Sequence, residues 1–403
     1  MSRKLLFITP MVPGLPTSGS TMRAGMVLQA LMKSFEVHVL LIPLGSRAAH
    51  RTLPEQFGDL RSRFLVVDDS ARVLAPQIEA VDGPAADAGD TAVNAFVEET
   101  LLPWRQIRFD AVHIYRLELA PFARAFDGAT VKRFLDIDDV ESITSDRLAK
   151  LYRRNDRISL AQSSRRYAAV HRLREERCLR SFEGVFVCSS NDAVLLRRMY
   201  RCPAFVLPNT VPMPPVVPSR RHEALRILFV GSMDYHPNED AALQLADVVL
   251  PCIHRFCHCP VQVLIVGNRP RDSVLALGNR RGITVTGCVD SVTPYYRQAT
   301  VAVVPLRAGG GTRIKILEAA AHRVPIVSSP VGAEGLEVAD GRELLLAHTP
   351  EQMAGKCVRL WQDRGLRSRI IRNAFSWVRR KHTASALVRA LAETYKLAGL
   401  SYG

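Results

Sequence analysis

The stretch "PLRAGGGTRIKILEAAAHRVPIVSSPVGAEGL", which runs from Pro305 to Leu336, places a glycine-rich loop between two apolar runs. Glycine lets the backbone approach a ligand closely, and the first turn of a helix offers N–H groups and a partial positive charge. Arg313 and Lys315 add two full positive charges just after the glycines. The order of these features predicts a strand at Val301–Pro305, a diphosphate-binding loop, and a helix at Thr312–His322.

Glu318 lies about one turn further into this predicted helix, where a carboxylate would repel a phosphate. It is better suited to accepting hydrogen bonds from ribose hydroxyls, so the loop and the glutamate together indicate a nucleotide. The loop lacks the Gly-Lys-Ser/Thr ending of a Walker loop, and no Gly-x-Gly-x-x-Gly follows the first strand. The alternative is a glycine turn before an amphipathic helix that buries Ile314, Leu317 and Ala320 and leaves its charges in water.

On both sides of this stretch, short apolar strands alternate with helical segments, which is typical of a parallel sheet wrapped by helices. The alternation stops at Pro208–Pro218, where five prolines in eleven residues indicate an extended linker, and then restarts. The other predicted strands are Leu5–Thr9, Val37–Ile42, Ala111–Ile114, Arg133–Ile137, Val185–Cys188, Ile227–Val230, Val261–Val266, Ile283–Thr286 and Ile326–Ser328, and the predicted helices include Met22–Lys33, Glu239–Val249 and Ala384–Ala398.

The predicted fold class is therefore α/β, with two Rossmann-like domains that face each other across a cleft. We expect an N-terminal domain at residues 1–210, a proline-rich linker at 211–225 and a C-terminal domain at 226–380. A last helix within residues 381–403 is expected to pack back on the N-terminal domain. In such sheets ligands bind outside the C-terminal ends of the strands, so the cleft is the expected site.

The composition is that of a globular protein, with 47% apolar and 23% charged residues among 403. No apolar run reaches the roughly 18–20 residues of a membrane span. The first apolar stretch is broken by Pro10 and Pro13, so we expect a buried strand there rather than a signal peptide. Eight cysteines then predict reduced thiols and a cytoplasmic location. The cluster "PCIHRFCHCP" at 251–260 is too crowded for the paired spacing of a zinc site and is interpreted as a helix end.

The net charge of +15 is concentrated in the run Arg147–Arg180, which contains eleven Lys and Arg residues. The run predicts one or two helices with a basic face. It carries no zinc-finger or RNP-like motif, so nucleic acid is not the expected partner. A solvated face and a surface that meets anionic lipid both fit this charge, and the sequence leaves the two alternatives open.

The opening stretch closely resembles the donor-binding segment of the GT-B glycosyltransferases, in particular the retaining family commonly called GT4, or glycosyl transferases group 1. The segments "FVGSMDYHPNEDAALQL" (Phe229–Leu245), "VLIVGNRP" and "VTGCVDSVTPYYRQATVAVVPL" are similar to later parts of the same domain. The N-terminal half is similar mainly in pattern, through "FVCSSNDAVLL" and "VLPNTVP". The resemblance implies transfer of a sugar from a nucleotide-diphosphate-sugar donor to a glycan or lipid-linked acceptor.

The resemblance also implies roles for individual residues. Glu318 would bind the ribose, and Arg313 and Lys315 would be catalytic because they neutralise the diphosphate leaving group. Asp138 would contact the sugar or the acceptor. The other implied donor-binding residues are Gly19 in the loop Thr17–Thr21, Gly231, Ser232, Gly287, Cys288, Val289, Gly309, Gly310, Gly311 and Thr312.

Three departures from the family pattern modify these expectations. Gly310 stands where the family often has a first glutamate, eight positions before the second, so the contacts to the donor sugar are changed. The turn and helix "GSMDYHPNED" lack the Arg and Lys that the family often carries there, which makes Arg313 and Lys315 their substitutes. Where many members have a histidine, "FLDIDDVES" has Asp138 and Asp139 instead. For Asp136 and Asp139, capping the next helix is as good an interpretation as a contact with the sugar or acceptor.

The resemblance implies retention of the anomeric configuration. No metal ion or other cofactor is expected, because two cations and a helix N-terminus can stabilise the leaving group. The sequence "DID" at Asp136–Asp138 only imitates a metal-binding Asp-x-Asp. We expect a role in cell-surface polysaccharide biosynthesis, in the cytoplasm or peripherally on the inner membrane face. The open alternatives are an epimerase or phosphorylase of the same fold, and a non-catalytic basic membrane- or nucleic-acid-binding protein with a degenerate donor site.

Overall fold

The computed structural model describes residues 3–14, 18–43, 52–67, 95–126, 130–215 and 224–400. The chain divides into two compact units. The first unit contains Met1–Ala149, Arg157–Pro208 and Ala384–Gly403, and the second contains Lys150–Asp156 and Asn209–Thr383. The sequence had assigned the short segment 150–156 to the N-terminal domain, whereas it groups with the second unit. Residues 216–223 of the predicted linker lie outside the described residues.

The first unit is built on a seven-stranded parallel sheet with the strand order β3-β2-β1-β4-β5-β6-β7. This order, which grows outward in both directions from β1 and β4, is that of a doubly wound Rossmann-like sheet. Its strands are β1 (Lys4–Thr9), β2 (Glu36–Leu41), β3 (Phe64–Val66), β4 (Ala111–Tyr115), β5 (Lys132–Asp138), β6 (Gly184–Val187) and β7 (Ala204–Val206).

Both faces of this sheet are buried. Successive side chains of a strand point to opposite sides of the sheet. In β1, Leu6 and Ile8 belong to one apolar cluster, while Leu5 and Phe7 belong to another on the opposite face. The strands therefore read as continuous apolar runs, as expected for a parallel sheet covered by helices. The helices of this unit are α1 (Gly19–Leu31), α2 (Glu141–Arg154, whose end belongs to the second unit), α3 (Ile158–Cys178), α4 (Ser190–Tyr200) and the chain-terminal helix Ala384–Leu397.

The chain-terminal helix returns to the first unit, as predicted. Its residues Leu387, Leu391 and Tyr395 are buried in the same cluster as Leu5 and Phe7. The Tyr395 hydroxyl lies 2.8 Å from Nδ1 of His113, which is buried in the middle of β4 rather than at its end. Burial lowers the pKa of His113 to about 3, so the imidazole is neutral in the folded protein and needs this hydrogen-bond partner.

The second unit contains a six-stranded parallel sheet with the order β10-β9-β8-β11-β12-β13. As in the first sheet, the strand order grows outward in both directions from two neighbouring strands, here β8 and β11. The strands are β8 (Leu225–Val230), β9 (Val261–Val266), β10 (Ile283–Val285), β11 (Val301–Val304), β12 (Ile326–Ser328) and β13 (Leu345–Leu346). Two parallel α/β sheets confirm the predicted fold class.

Helices cover the second sheet and enclose one large apolar cluster. The predicted helix Glu239–Val249 is part of a longer helical segment, in which a π-helical turn at Leu245–Val249 separates two α-helices. The α-helices of this unit are α5 (His236–Gln244), α6 (Leu250–Phe256), α7 (Asp272–Leu275), α8 (Thr293–Gln298), α9 (Ile314–Ala321), α10 (Pro330–Ala333), α11 (Pro350–Gln362) and α12 (Arg364–Lys381), which leaves Ala384–Leu397 as α13.

Two sequence-based expectations are wrong in detail. Helix α1 begins at Gly19 rather than Met22, because Ser18 and Thr21 form a capping box in which each side chain accepts from the other's backbone N–H. The expectation that all eight thiols are reduced fails at Cys257 and Cys259, which form a disulfide. Because these two cysteines are two positions apart in an extended segment, their side chains point to the same side. No helix among the described residues is long and apolar enough to cross a membrane.

We expect Tyr395→Phe to lower the free energy of unfolding by about 1–3 kcal/mol, because it leaves a fully buried imidazole nitrogen without its partner. Urea denaturation measures this change. Tyr167→Phe on the exposed surface of α3 is the matched control and should leave stability unchanged. Equal stability of the Tyr395→Phe variant and the wild type would contradict the role assigned to this contact.

Candidate active site

Two glycine-containing turns meet where the strand order of the second sheet reverses. Strands β8 and β11 are adjacent, and the sheet grows away from them on either side. Such a reversal leaves a crevice at the C-terminal strand ends, which is the usual ligand site of open parallel sheets. Gly231 and Ser232 directly follow β8, and the glycine loop Gly309–Thr312 follows β11. These predicted donor-binding residues therefore lie at one edge of the sheet.

The turn after β8 is fixed by a close backbone approach. The Gly231 N–H donates to the Val266 carbonyl at 3.0 Å, and the Met233 N–H donates to the Asn268 carbonyl at 2.9 Å. A Cβ on Gly267 would lie 1.7 Å from the Gly231 carbonyl oxygen, and Gly267 also has a φ of 153°. Only glycine fits at this position, so the turns after β8 and β9 are held as one rigid backbone unit.

The guanidinium of Arg313 is directed at the glycine loop itself. Its Nη1 donates to the carbonyls of Gly310 and Gly311, and its Nη2 donates to the Val331 carbonyl at 3.2 Å. Gly309 and Gly311 have φ values of 135° and 61°, which glycine adopts without strain. Arg313 therefore shapes the loop from a buried position, and its role at a diphosphate stays a prediction.

The helix after the loop begins later than predicted. It starts at Ile314 rather than Thr312, because Arg313 keeps an extended backbone with φ −89° and ψ 98°. The Thr312 hydroxyl accepts a hydrogen bond from Asn209 Nδ2 at 2.9 Å, which anchors the end of the loop. The first N–H groups of α9 follow immediately and have no earlier helical carbonyl to bind.

Lys315 is held in the first turn of α9 by neutral groups. Its Nζ donates to Asn238 Oδ1 at 2.7 Å and lies 4.3 Å from the centroid of the Phe229 ring. A Cβ at Gly231 would lie 2.9 Å from this Nζ, so the ammonium sits directly against the turn after β8. Burial, and then the charge of Arg313, lower the pKa of Lys315 to about 7. An incoming anion would favour its charged form.

Glu318 lies one turn further along α9, and its two carboxylate oxygens differ in their hydrogen bonds. The Tyr296 hydroxyl donates to Glu318 Oε2 at 3.0 Å, and no side chain of the described residues donates to Oε1. Burial raises the pKa of Glu318, while Tyr296 and Lys315 oppose this rise. Tyr296 is itself fixed by stacking on His322, with ring centroids 4.6 Å apart. Tyr296 therefore orients Glu318, and the sequence analysis did not identify it.

The turn Gly287–Val289, predicted to lie beside the nucleobase, follows β10 at the same edge of the sheet. Gly287 has a φ of 69°, and no atom lies within 4 Å of the position that a Cβ would take there. Cys288 is an exposed free thiol, whereas Val289 packs against the core of the unit. The turn thus combines an open backbone with one anchoring side chain, as a nucleobase contact would require.

Three further residues at this end of the unit, Asp240, Arg307 and Asn155, were missed by the sequence analysis. Arg307 precedes the glycine loop, and its Nε donates to Asp240 Oδ2 at 2.8 Å. Asn155 joins this pair, since its Nδ2 donates to Asp240 Oδ1 at 2.9 Å and its Oδ1 accepts from Arg307 at 3.1 Å. These residues are far apart in the sequence, so only tertiary structure could reveal the network. This network stabilises the base of the glycine loop. Its cation, Arg307, is already paired with the carboxylate of Asp240.

In the first unit, Asp138 lies beside a buried ion pair at the C-terminal end of β5. Arg23 donates from Nε and Nη2 to Asp136 at 2.9 to 3.2 Å, and Asp138 Oδ1 lies 3.5 Å from Arg23 Nε. Burial opposes the charge on Arg23, but Asp136 and Asp138 raise its pKa above the ordinary value. Asp136 is thus an ion-pair partner, and the expectation that it caps the next helix is wrong.

The backbone conformation at Asp138 differs from that of a regular strand. Asp138 has a φ of 65°, and the pairing of β5 with β6 is irregular between Asp136 and Asp138. Such a bulge redirects a side chain, and a non-glycine residue in this conformation is often found at functional sites. Asp139 points elsewhere, accepting from Thr144 Oγ1 at 2.8 Å and lying 3.7 Å from Arg116 Nη1.

The remaining predicted position of this unit is Gly19. It is the first residue of α1, so the predicted loop Thr17–Thr21 is largely the capped start of a helix. Thr17 lies outside the described residues. Gly19 itself is exposed, and its predicted phosphate contact stays a prediction. Among the described residues, no group of three or more His, Cys, Asp or Glu side chains is arranged to hold a metal ion.

The two parallel α/β sheets have the fold expected for the GT-B class, and comparison with known proteins agrees. Residues 224–363, most of the second unit, match the family described as glycosyl transferases group 1. This match confirms the resemblance carried by the C-terminal motifs and supports glycosyl transfer as the activity. No curated protein matches the sequence.

Solved structures share the fold over nearly the whole chain. Sucrose-phosphate synthase from Thermosynechococcus elongatus superposes with a TM-score of 0.71 at 15% identity, covering 98% of this chain and 99% of that one. WaaG, a glycosyltransferase involved in lipopolysaccharide biosynthesis, gives 0.63 at 14% identity, covering 98% and 100%. HepE from Anabaena, solved with UDP and glucose, gives 0.63 at 13% identity, covering 98% and 99%.

We expect Arg313→Met to lower the free energy of unfolding by about 2–4 kcal/mol, because two carbonyls of the glycine loop and the Val331 carbonyl of α10 lose a buried charged donor. Denaturant unfolding measures this loss. Arg342→Met removes an exposed guanidinium in the same unit and should change stability little. An Arg313→Met variant as stable as the wild type would show that the loop does not depend on this side chain.

Proposed function

We propose that this protein is a glycosyltransferase that moves a hexose-type sugar from a nucleotide-diphosphate-sugar donor to a glycan or lipid-linked acceptor. The observation that carries the proposal is the convergence of the glycine loop, Lys315 and Glu318 at the strand-order reversal of a domain that matches glycosyl transferases group 1. A diphosphate would lie against the loop and Lys315, and the ribose would hydrogen bond to Glu318.

The transfer chemistry follows from the charges at this site. The anomeric C–O bond breaks and its electron pair goes to the diphosphate, while the acceptor oxygen bonds to the same carbon. Lys315 and the N-terminus of α9 would stabilise the charge that develops on the diphosphate. The departing phosphate would accept the acceptor's proton on the same face of the sugar, which gives retention. These groups supply the positive charge, so we propose that the reaction needs no metal ion or cofactor.

Asp138 is the proposed contact to the sugar or acceptor in the first unit. Its redirected backbone, its partly exposed carboxylate and its salt bridge to Arg23 support this assignment. Gly19 at the open start of α1 is the proposed phosphate contact of the same unit. Gly231, Ser232 and the turn Gly287–Val289 complete the proposed donor site, with Cys288 at its exposed edge.

The basic run supports an acceptor at an anionic membrane surface. It forms the end of α2 and all of α3, and α3 exposes the large apolar side chains of Ile158, Leu160 and Leu173 as well as its arginines. Basic side chains next to exposed apolar ones are a surface that anionic lipid can bind. We therefore propose a cytoplasmic protein that binds peripherally to the inner membrane face and acts in cell-surface polysaccharide biosynthesis. The role of WaaG in lipopolysaccharide biosynthesis is consistent with this proposal.

We expect calorimetric titration to show that the protein binds either UDP or GDP and one of their sugar conjugates. Glu318→Ala should weaken that binding about 10- to 100-fold, because the ribose loses charged hydrogen bonds. Glu337→Ala, which removes an exposed carboxylate, is the matched control and should bind as the wild type does. Absence of binding by the wild type to all these nucleotides would overturn the proposed donor site.

The same titrations and an activity assay, repeated with EDTA, test the absence of a metal requirement. Activity lost with EDTA and restored by Mg²⁺ or Mn²⁺ would contradict the proposal that no metal is needed.

Product analysis distinguishes the remaining alternatives of the same fold. Transfer to a second substrate indicates a transferase, whereas an altered donor sugar without an acceptor would indicate an epimerase.

We expect the protein to co-sediment with vesicles containing phosphatidylglycerol at low salt and to dissociate at high salt. Replacing Arg165, Arg166, Arg172 and Arg177 of α3 with Gln should abolish this binding. The matched control replaces the same number of exposed arginines on α12 with Gln: Arg369, Arg372, Arg379 and Arg380. If both variants lose binding equally, net charge rather than the surface of α3 is responsible.

A further inference from the structure

Asn238 occupies a position between the two turns of the donor site. It lies in the first turn of α5 and is buried. Its Oδ1 accepts from Lys315 Nζ at 2.7 Å, and its Nδ2 donates to the Ser232 carbonyl at 2.9 Å. An ammonium can only donate and a carbonyl can only accept, so the orientation of the amide is determined by its two partners. Asn238 therefore connects the turn after β8 with the first turn of α9.

The described side-chain partners of Lys315 are neutral, unlike those of three other buried or half-buried cations. Arg23, Arg116 and Arg307 each form an ion pair with at least one carboxylate. Among the described residues, no carboxylate lies within ion-pairing distance of Lys315, whose Nζ contacts the Asn238 amide and the face of the Phe229 ring. Both contacts position the ammonium without neutralising it, and two of its three N–H donors stay available to an anion.

From this geometry we infer that Asn238 is a positioning residue that holds Lys315 against the donor's diphosphate while leaving its positive charge uncompensated. The inference rests on the proposed function. A neutral amide is required, because an aspartate of the same shape would form an ion pair with Lys315. Such a pair would place a negative charge beside the phosphates.

The charged groups around Lys315 also determine how pH should affect donor binding. Arg313, at the start of its own helix, disfavours its charge, and Glu318, one turn on, favours it, while Asn238 and Phe229 are neutral. Burial and Arg313 lower the pKa of free Lys315 to about 7. Affinity for an anion is therefore greatest below that pH and falls as the ammonium loses its proton above it. Asn238→Asp should raise this pKa and remove the pH dependence.

The test is a titration of UDP-glucose and GDP-mannose, whose phosphates do not titrate between pH 6 and 9, into wild type, Asn238→Asp, Asn238→Ala, Lys315→Met and the double variant Asn238→Asp/Lys315→Met. With the donor that the wild type binds, we expect Asn238→Asp to weaken binding about 10- to 100-fold at pH 7. Its affinity should also no longer fall between pH 6 and 9. In the Lys315→Met background the same substitution should have a clearly smaller effect, because the two residues act together.

Asn279→Asp adds the same charge at an exposed position and should bind as the wild type does. Asn238→Ala keeps the charge of Lys315 but loosens its position, so it should weaken binding less than Asn238→Asp and keep the pH dependence. Wild-type binding together with an unchanged affinity and pH profile in Asn238→Asp would overturn the inference alone. No wild-type binding to either donor would instead overturn the proposed function on which it rests.

Discussion

The candidate active site depends on the contact between the backbone of Gly231 and that of Gly267. The turns after β8 and β9 approach so closely that any side chain at Gly267 would collide with the Gly231 carbonyl. This contact fixes the turn after β8 at the point where the strand order reverses. Lys315, Asn238 and the glycine loop are then arranged around a backbone that cannot move aside. A ligand that meets this edge therefore finds preorganised donors, which is the most effective form of electrostatic stabilisation.

The two cations that follow the glycine loop are used in different ways. Arg313 is turned into the loop and donates to the carbonyls of Gly310 and Gly311. Lys315 is held by the Asn238 amide and the Phe229 ring, both of which are neutral. One cation thus builds the loop, and the other is the one that we propose to meet the diphosphate. In sequence the two are equivalent, because both are positive charges at the start of the same helix.

The first unit uses buried charge differently. Arg23 is enclosed by Asp136 and Asp138 and joins α1 to the C-terminal end of β5. Breaking such a pair by removing one partner is costly, since the other charge stays buried. The pair constrains the strand end at which Asp138 takes its left-handed backbone. The ion pair thus lies directly beside a redirected carboxylate at the C-terminal end of β5.

Apolar periodicity and glycine spacing act locally, so they are enough to predict the two parallel sheets, most strand positions and the glycine loop with Lys315 and Glu318. Short strands such as β3 and β13 escaped prediction, since three or two residues carry too little pattern. The predicted start of α1 at Met22 is too late, because the capping residues Ser18 and Thr21 are polar and do not belong to the apolar pattern. Only the tertiary structure decided that Asn238 meets Lys315 and that Tyr296 meets Glu318. Each pair joins elements that are far apart along the chain, and it is the packing of the helices against the sheet that brings them into hydrogen-bond contact.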